Sequence, residues 1–156
     1  MSVTLAPLSR DDPGRVAHIR VHPDQVRFSG TVAQAFAADE AGVDFHAILE
    51  GPQPVGFFKI DRLYPETYPF AQPGELGLRA FMVDAGCQGR GLASAAIRAL
   101  PAYLRRHYRD APALVLTVNL ANPAAIRAYL KGGFTDTGEI WPHGAAGPQQ
   151  VMRLSL

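Results

Sequence analysis

The chain predicts an α/β fold, a single mixed sheet with helices against its faces. Three observations carry that prediction. Seven short apolar segments with strand-like patterning are interleaved with segments of helical patterning. Glycine- and proline-rich turns separate them. The 156 residues, 47% hydrophobic and 19% charged, suit one domain, residues 1–156, with a core of its own.

The elements follow in order. Val3 to Leu8 alternates apolar and polar residues, a first strand. Ser9 to Gly30 is broken by Pro13 and His22-Pro23 into short helices. Thr31-Val32-Ala33-Gln34 has the form of a capping box and opens a helix to about Asp39. Val43 to Glu50 and Val55 to Leu63 form a hairpin across Gly51-Pro52-Gln53-Pro54. Tyr64 to Gly74, rich in proline and aromatics, reads as an irregular loop. Glu75 to Val83 is a strand that runs straight into a glycine-rich turn, and Leu92 to Tyr108 carries an apolar helical stripe. Pro101 lies inside that helix and predicts a kink. Ala113 to Val118 is a nearly continuous apolar run, as in a buried parallel strand. Asn122-Pro123 caps and starts a helix that Gly132-Gly133 ends. Phe134 to Trp141 and Gln149 to Leu156 close the chain as a hairpin. A mixed sheet covered on both faces packs this order most economically.

Bulk properties exclude several function classes. A formal net charge of +1 gives no global case for nucleic acid or an anionic membrane surface, so any anion site must be local. The single cysteine, Cys87, allows no internal disulfide and suits a reducing cytosol. No apolar run approaches the ~18 residues of a membrane helix, and the first residues lack the basic and apolar regions of a signal peptide. The expectation is a cytoplasmic protein without nucleic-acid or membrane partners. The five histidines show no metal-ligand spacing, so no metal is expected.

The glycine turn is the most informative segment. In Asp84-Ala-Gly-Cys-Gln-Gly-Arg-Gly-Leu-Ala-Ser94 a strand ends and a helix begins, which places free backbone N–H groups at the positive end of a helix dipole. That arrangement binds phosphate. A nucleotide P-loop requires a lysine after its last glycine, which is missing here. A dinucleotide fingerprint requires a third glycine where Ser94 stands and an acid at the end of the next strand, which closes in Val118-Asn119. The acetyl-coenzyme A loop, Q/R-x-x-G-x-G/A, matches Gln88-x-x-Gly91-x-Ala93 in register.

A second block follows the next strand. Asn122-Pro-Ala-Ala-Ile-Arg-Ala-Tyr129-Leu-Lys-Gly-Gly133-Phe134 resembles the N-x-x-A-x-x-x-Y-x-x-x-G-F signature of the GNAT acetyltransferases. The two blocks cover Glu75 to about Gly138, and the strand order fits the family along the whole chain. The resemblance implies a GNAT-like mixed, mostly antiparallel sheet of about seven strands flanked by helices. It also implies a splayed parallel pair of the fourth and fifth strands. It further implies an acetyl-CoA-dependent N-acetyltransferase that moves the acetyl group directly to a primary amine of a small molecule or peptide. The alternative is a non-catalytic acyl-CoA-binding sensor or structural domain of the same fold. A homodimer is compatible with the sequence and not required by it.

Site residues come from the same resemblance. Backbone groups of Phe81, Met82 and Val83 are implied to receive the pantetheine arm and the thioester carbonyl. Gln88, Gly89, Arg90, Gly91, Leu92, Ala93 and Ser94 cradle the pyrophosphate, with Arg90 either adding charge or simply solvated. Asn122 caps its helix and, with Ala125, faces the cofactor. Tyr129 is the implied general acid for the departing thiolate, its phenol protonated at neutral pH; otherwise it is a core tyrosine. Glu75 is a candidate general base, with water as the alternative. Cys87 has no patterned base to make it a nucleophile. The acceptor rim is expected from His22 to Phe28, the Tyr64–Phe70 loop and the Trp141–Pro148 hairpin loop. Tyr64, Tyr68, Phe70 and Trp141 there form either an aromatic wall or a pin for the loop.

Overall fold

A computed structural model describes residues 2–156. All seven strands join one sheet in the order β1 (Val3–Leu8), β2 (Val43–Glu50), β3 (Gln53–Asp61), β4 (Leu76–Val83), β5 (Ala113–Asn119), β7 (Gln149–Ser155), β6 (Thr135–Trp141). Every neighbouring pair is antiparallel except β4 and β5. The architecture is the mixed α/β sheet that the sequence predicts.

Strand alternation sends successive side chains to opposite faces. On one face, Phe58, Ile60, Leu78, Leu116 and Met152 pack beneath α4 (Leu92–His107) and α5 (Pro123–Lys131). On the other, Phe45, Phe57 and Met82 lie against α2 (Val32–Ala37) and the residues around Val16 and Ile19. The four-residue α1 (Val26–Ser29) follows a 3-10 turn at Pro23–Gln25. Thr31 and Gln34 close the expected capping box: Gln34 N–H donates to Thr31 Oγ1 at 3.1 Å, and Thr31 N–H to Gln34 Oε1 at 3.0 Å.

Two local expectations change. β3 begins at Gln53, not Val55, because a register shift between Ile48 and Leu49 admits Pro54 opposite Leu49. The Tyr64–Gly74 segment is not wholly irregular; it opens with one helical turn, α3 (Tyr64–Thr67). α4 is assigned as one helix through Pro101, the position where the sequence predicts a kink.

The feature that positions the site is the β4–β5 junction. Their parallel ladder holds only Leu76 with Leu114 and Gly77 with Val115. Beyond Gly77 the strands part, leaving the β5-facing edge of β4 without a strand partner.

Candidate functional site

The parted strands border a cleft of about 540 Å³. Its lining draws on both faces of the sheet: Val118, Ala125 and Tyr129 from the α4–α5 side, and Lys59, Arg79 and Thr117 from the other. The cleft therefore passes through the sheet at the splay.

On the α4–α5 side lies the glycine turn. Gly89 and Gly91 take φ of +80° and +78°, a left-handed backbone that residues with a Cβ adopt at a cost. Gly91 is the N-cap of α4, and the first intrahelical bond is Ala95 N–H to its carbonyl, 3.0 Å. The N–H groups of Leu92, Ala93 and Ser94 thus lie ahead of the helical ladder and are free for an anion. The turn is held rigidly. Gln88 Nε2 donates to the Val83 carbonyl and to Gln25 Oε1, both at 2.9 Å, and Gln25 Nε2 donates to Gln88 Oε1 at 3.1 Å. Ala85 N–H reaches the Arg20 carbonyl at 2.7 Å, and Arg20 N–H reaches Asp84 Oδ1 at 2.8 Å.

Most sequence-predicted site residues meet here. Phe81–Val83, the turn at 88–94 other than Arg90, and Asn122, Ala125 and Tyr129 all line the cleft. Arg90 points elsewhere, paired with Glu50. Asn122 Oδ1 caps α5 through the Ala125 N–H at 3.4 Å. The Tyr129 ring meets Phe81 and Phe134 edge-on at 6.0 and 5.4 Å. Its hydroxyl has no hydrogen-bond partner among the described residues, and burial pushes its pKa above the usual phenol range, keeping the proton on oxygen at neutral pH. Cys87 also lines the cleft, but the only described bond of its thiol is a weak one to Asp84 Oδ2 at 3.9 Å. No imidazole bonds its thiol among the described residues.

Glu75 stands apart, and its candidacy as general base is corrected. It lies at the closed end of the splay, six residues from Phe81, or about 20 Å along an extended strand. It does not line the cleft. Arg153 Nε and Nη2 hold its two oxygens at 2.9 and 3.0 Å, and Gln72 N–H donates at 2.6 Å. Burial alone would raise its pKa, but the Arg153 and Gln72 hydrogen bonds and the guanidinium charge keep it below the ordinary carboxylate value. Arg153 also donates to the Phe70 carbonyl at 3.3 Å, so the pair clasps the Tyr64–Gly74 segment to β7.

Sequence reasoning missed the face opposite α4 and α5. Lys59 and Arg79 sit directly across from one another on β3 and β4. Between this pair and Phe57–Met82, β4 spends one more residue than β3. This bulge contains Ala80, whose φ of +53° is the only positive value outside glycine among the described residues. Lys59 Nζ donates to Glu40 Oε1 at 2.7 Å, while Arg79 reaches Glu40 Oε2 at 2.7 Å and Asp61 Oδ2 at 3.3 Å. Asn119, at the end of β5, is 5% exposed, and its Nδ2 has no hydrogen-bond partner among the described residues. Of the expected rim, Gln25 and Phe28 line the cleft, as do Tyr64 and Tyr68, whose tilted rings lie 4.3 Å apart. Phe70 and Trp141 instead pack on Tyr68, each 5.4–5.5 Å from its ring, and pin the loop. The Trp141–Pro148 loop does not line the cleft.

Comparison with known proteins adds an independent finding. The profile of the acetyltransferase (GNAT) family matches residues 10–134. The uncharacterized N-acetyltransferase YbbJ of Bacillus subtilis (strain 168) is 32% identical over 92 residues. Those residues are 58% of this chain and 58% of that protein, so the chain spans less than two thirds of the relative's length. Among solved structures, aminoglycoside acetyltransferase AAC(6')-Ib in complex with coenzyme A and kanamycin superposes with a TM-score of 0.78. It is 21% identical, over 99% of this chain and 95% of that one. Spermidine N-acetyltransferase from Vibrio cholerae, in complex with CoA and spermine, gives a TM-score of 0.69 at 14% identity, over 98% and 95%. At these identities the structural likeness is one of fold.

Proposed function

Because the chain belongs to the acetyltransferase (GNAT) family, we propose that it transfers the acetyl group of acetyl-CoA directly to the primary amine of a small molecule. The observation that carries the reading is the cleft through the splay. One flank offers free N–H groups at the start of α4, and the other offers an unpartnered, protonated Tyr129 hydroxyl. The two crystallised neighbours, a kanamycin complex and a spermine complex, support N-acetylation as the general chemistry.

In this reading the main-chain amides of Gly89 to Ser94 hold the pyrophosphate. The unpaired edge of β4 orients the pantetheine arm and offers N–H groups where negative charge develops on the thioester oxygen. Acetyl-CoA, as cosubstrate, supplies the activated acyl carbon. The amine nitrogen bonds to that carbon, the carbon–sulfur bond breaks, and Tyr129 protonates the leaving sulfur. No carboxylate lines the cleft among the described residues, so the amine proton departs through water and solvent restores the phenol. Net products are an N-acetyl amine and free coenzyme A.

Replacing Tyr129 with Phe tests the assignment. The turnover number, read as thiol release, falls by about 10²–10⁴-fold while coenzyme A affinity measured by calorimetry is unchanged. Undiminished turnover would remove Tyr129 from the chemistry. Tight coenzyme A binding with no turnover on any amine would favour the acyl-CoA-binding sensor.

A further inference from the structure

Building on the acetyl-transfer reading, and resting on it, we propose that the outer face of α4 and α5 is an electrostatic capture surface for coenzyme A. Arg98, Arg105, Arg127 and Lys131 draw the phosphate-bearing end of the cofactor into the cleft. The net charge of +1 conceals an uneven distribution. The two helices hold five of the chain's 15 Lys and Arg residues (Arg98, Arg105, Arg106, Arg127 and Lys131) and none of its 14 Asp and Glu residues. All five are exposed, and none has an ion-pair partner among the described residues. Elsewhere acids outnumber Lys and Arg, and Lys59, Arg62, Arg79 and Arg153 are spent on carboxylates. Arg90, the one Lys or Arg of the glycine turn, is held by Glu50, so the turn presents amides but no free cation.

Helix periodicity leads these cations to the cleft. Residues three, four, seven and eleven apart fall on one side of a helix. On α5, Ala124 and Ala128 line the cleft, and Arg127 and Lys131 continue their stripe. On α4, Ser94 lines it, and Arg98 and Arg105 follow four and eleven residues later. The two helices meet closely: a Cβ added to Gly132 would overlap the Ile97 side chain, so Lys131 and Arg98 each adjoin the point of contact. Coenzyme A carries a pyrophosphate and a ribose phosphate, which make its nucleotide end a multiply charged anion. Exposed charges more than about 10 Å apart are largely screened at ~0.1 M salt, so distant ones add little to affinity. A surface of one sign beside a cleft instead raises the rate at which a charged ligand arrives, by about 10–10³-fold at low salt. The helix face therefore acts on association, while the turn at 88–94 and the unpaired β4 edge govern release.

The test is stopped-flow binding of etheno-coenzyme A, a fluorescent analogue with the same phosphates. Rates are measured at about 10 mM and about 1 M salt, where the Debye lengths are about 30 Å and about 3 Å. The proteins are the wild type, a triple variant (Arg98→Gln, Arg127→Gln, Lys131→Gln), and Arg15→Gln, which removes a cation from the other face of the sheet. Glutamine keeps helix propensity at the exposed helix positions, and thermal melting reports that each variant is folded. Should the triple variant melt early, Arg98→Gln and Lys131→Gln singly carry the test. At low salt the triple variant associates about tenfold or more slowly than the wild type, and at high salt the two rates converge. Dissociation is unchanged, and Arg15→Gln behaves as the wild type does. Equal association rates at low salt overturn the proposal. So does a loss carried by faster dissociation, which would make these side chains direct contacts. Binding by the wild type without the salt-dependent gap overturns the capture surface alone, whereas no binding at either salt concentration brings down the acetyl-transfer reading and the capture surface with it.

Discussion

Glu75 illustrates how position along a strand outranks residue type. Next to a strand that borders the cleft, a carboxylate suggests a base; held at the closed end by Arg153 and Gln72, it is a clasp. Glu75→Gln should leave turnover and its pH profile intact while lowering stability by about 1–3 kcal/mol, read from denaturant unfolding. The folded carboxyl has a depressed pKa, so its stabilising contribution is present above the unfolded value and is lost as pH falls through the carboxylate range. The glutamine variant lacks that loss. A changed kinetic pH profile would restore Glu75 to the chemistry. The same contrast explains which site residues the sequence reveals. Gly89, Gly91, Asn122 and Tyr129 act through local backbone or within one helix, and local spacing encodes them. Lys59 and Arg79 come together only through cross-strand register beside a bulge at Ala80, which no short motif records.

At the scale of elements, most boundaries were readable because periodicity and punctuation agree, as at the Thr31 capping box and the Asn122-Pro123 start. The departures arise where tertiary packing overrides local signals. α3 forms because Tyr64, 1% exposed, inserts its ring over Gly77 at the last β4–β5 pairing. A Cβ on Gly77 would overlap the Tyr64 ring at Cδ1. Gly77→Ala must displace the ring, with an expected loss of about 1–3 kcal/mol in denaturant unfolding. Because Tyr64 also lines the cleft, the acceptor KM should rise while coenzyme A affinity holds. A variant of native stability would show that the ring can move freely. The splay itself was anticipated from resemblance, whereas its closing point at Gly77 follows from this contact.

Across the whole molecule, a buried polar network ties the sheet to its longest helix. His46 on β2 bonds Tyr103 Oη through Nδ1 at 2.6 Å and Tyr108 Oη through Nε2 at 2.9 Å, and the Tyr108 hydroxyl donates to Asp44 Oδ2 at 2.8 Å. Burial depresses the His46 pKa to about 4, against the pull of Asp44 and with a push from His107. The unfolded imidazole takes up a proton near its ordinary value and the folded one refuses it, so stability falls as pH drops from about 6.5 toward 4. Between pH 7 and pH 5 the expected loss is about 2 kcal/mol, and His46→Gln should flatten that dependence in denaturant titrations. An equal pH dependence in both proteins would place the acid sensitivity elsewhere.

The strand order has one more consequence. β7 lies between β5 and β6, so a stretch made after both of them becomes an interior strand of the sheet. Until residues 149–155 emerge, β5 has a bare edge and β6 has nothing to pair with, and the nascent chain must keep both from sticking to neighbours. The wall that carries Asn119 is thus the last part of the cleft to be finished.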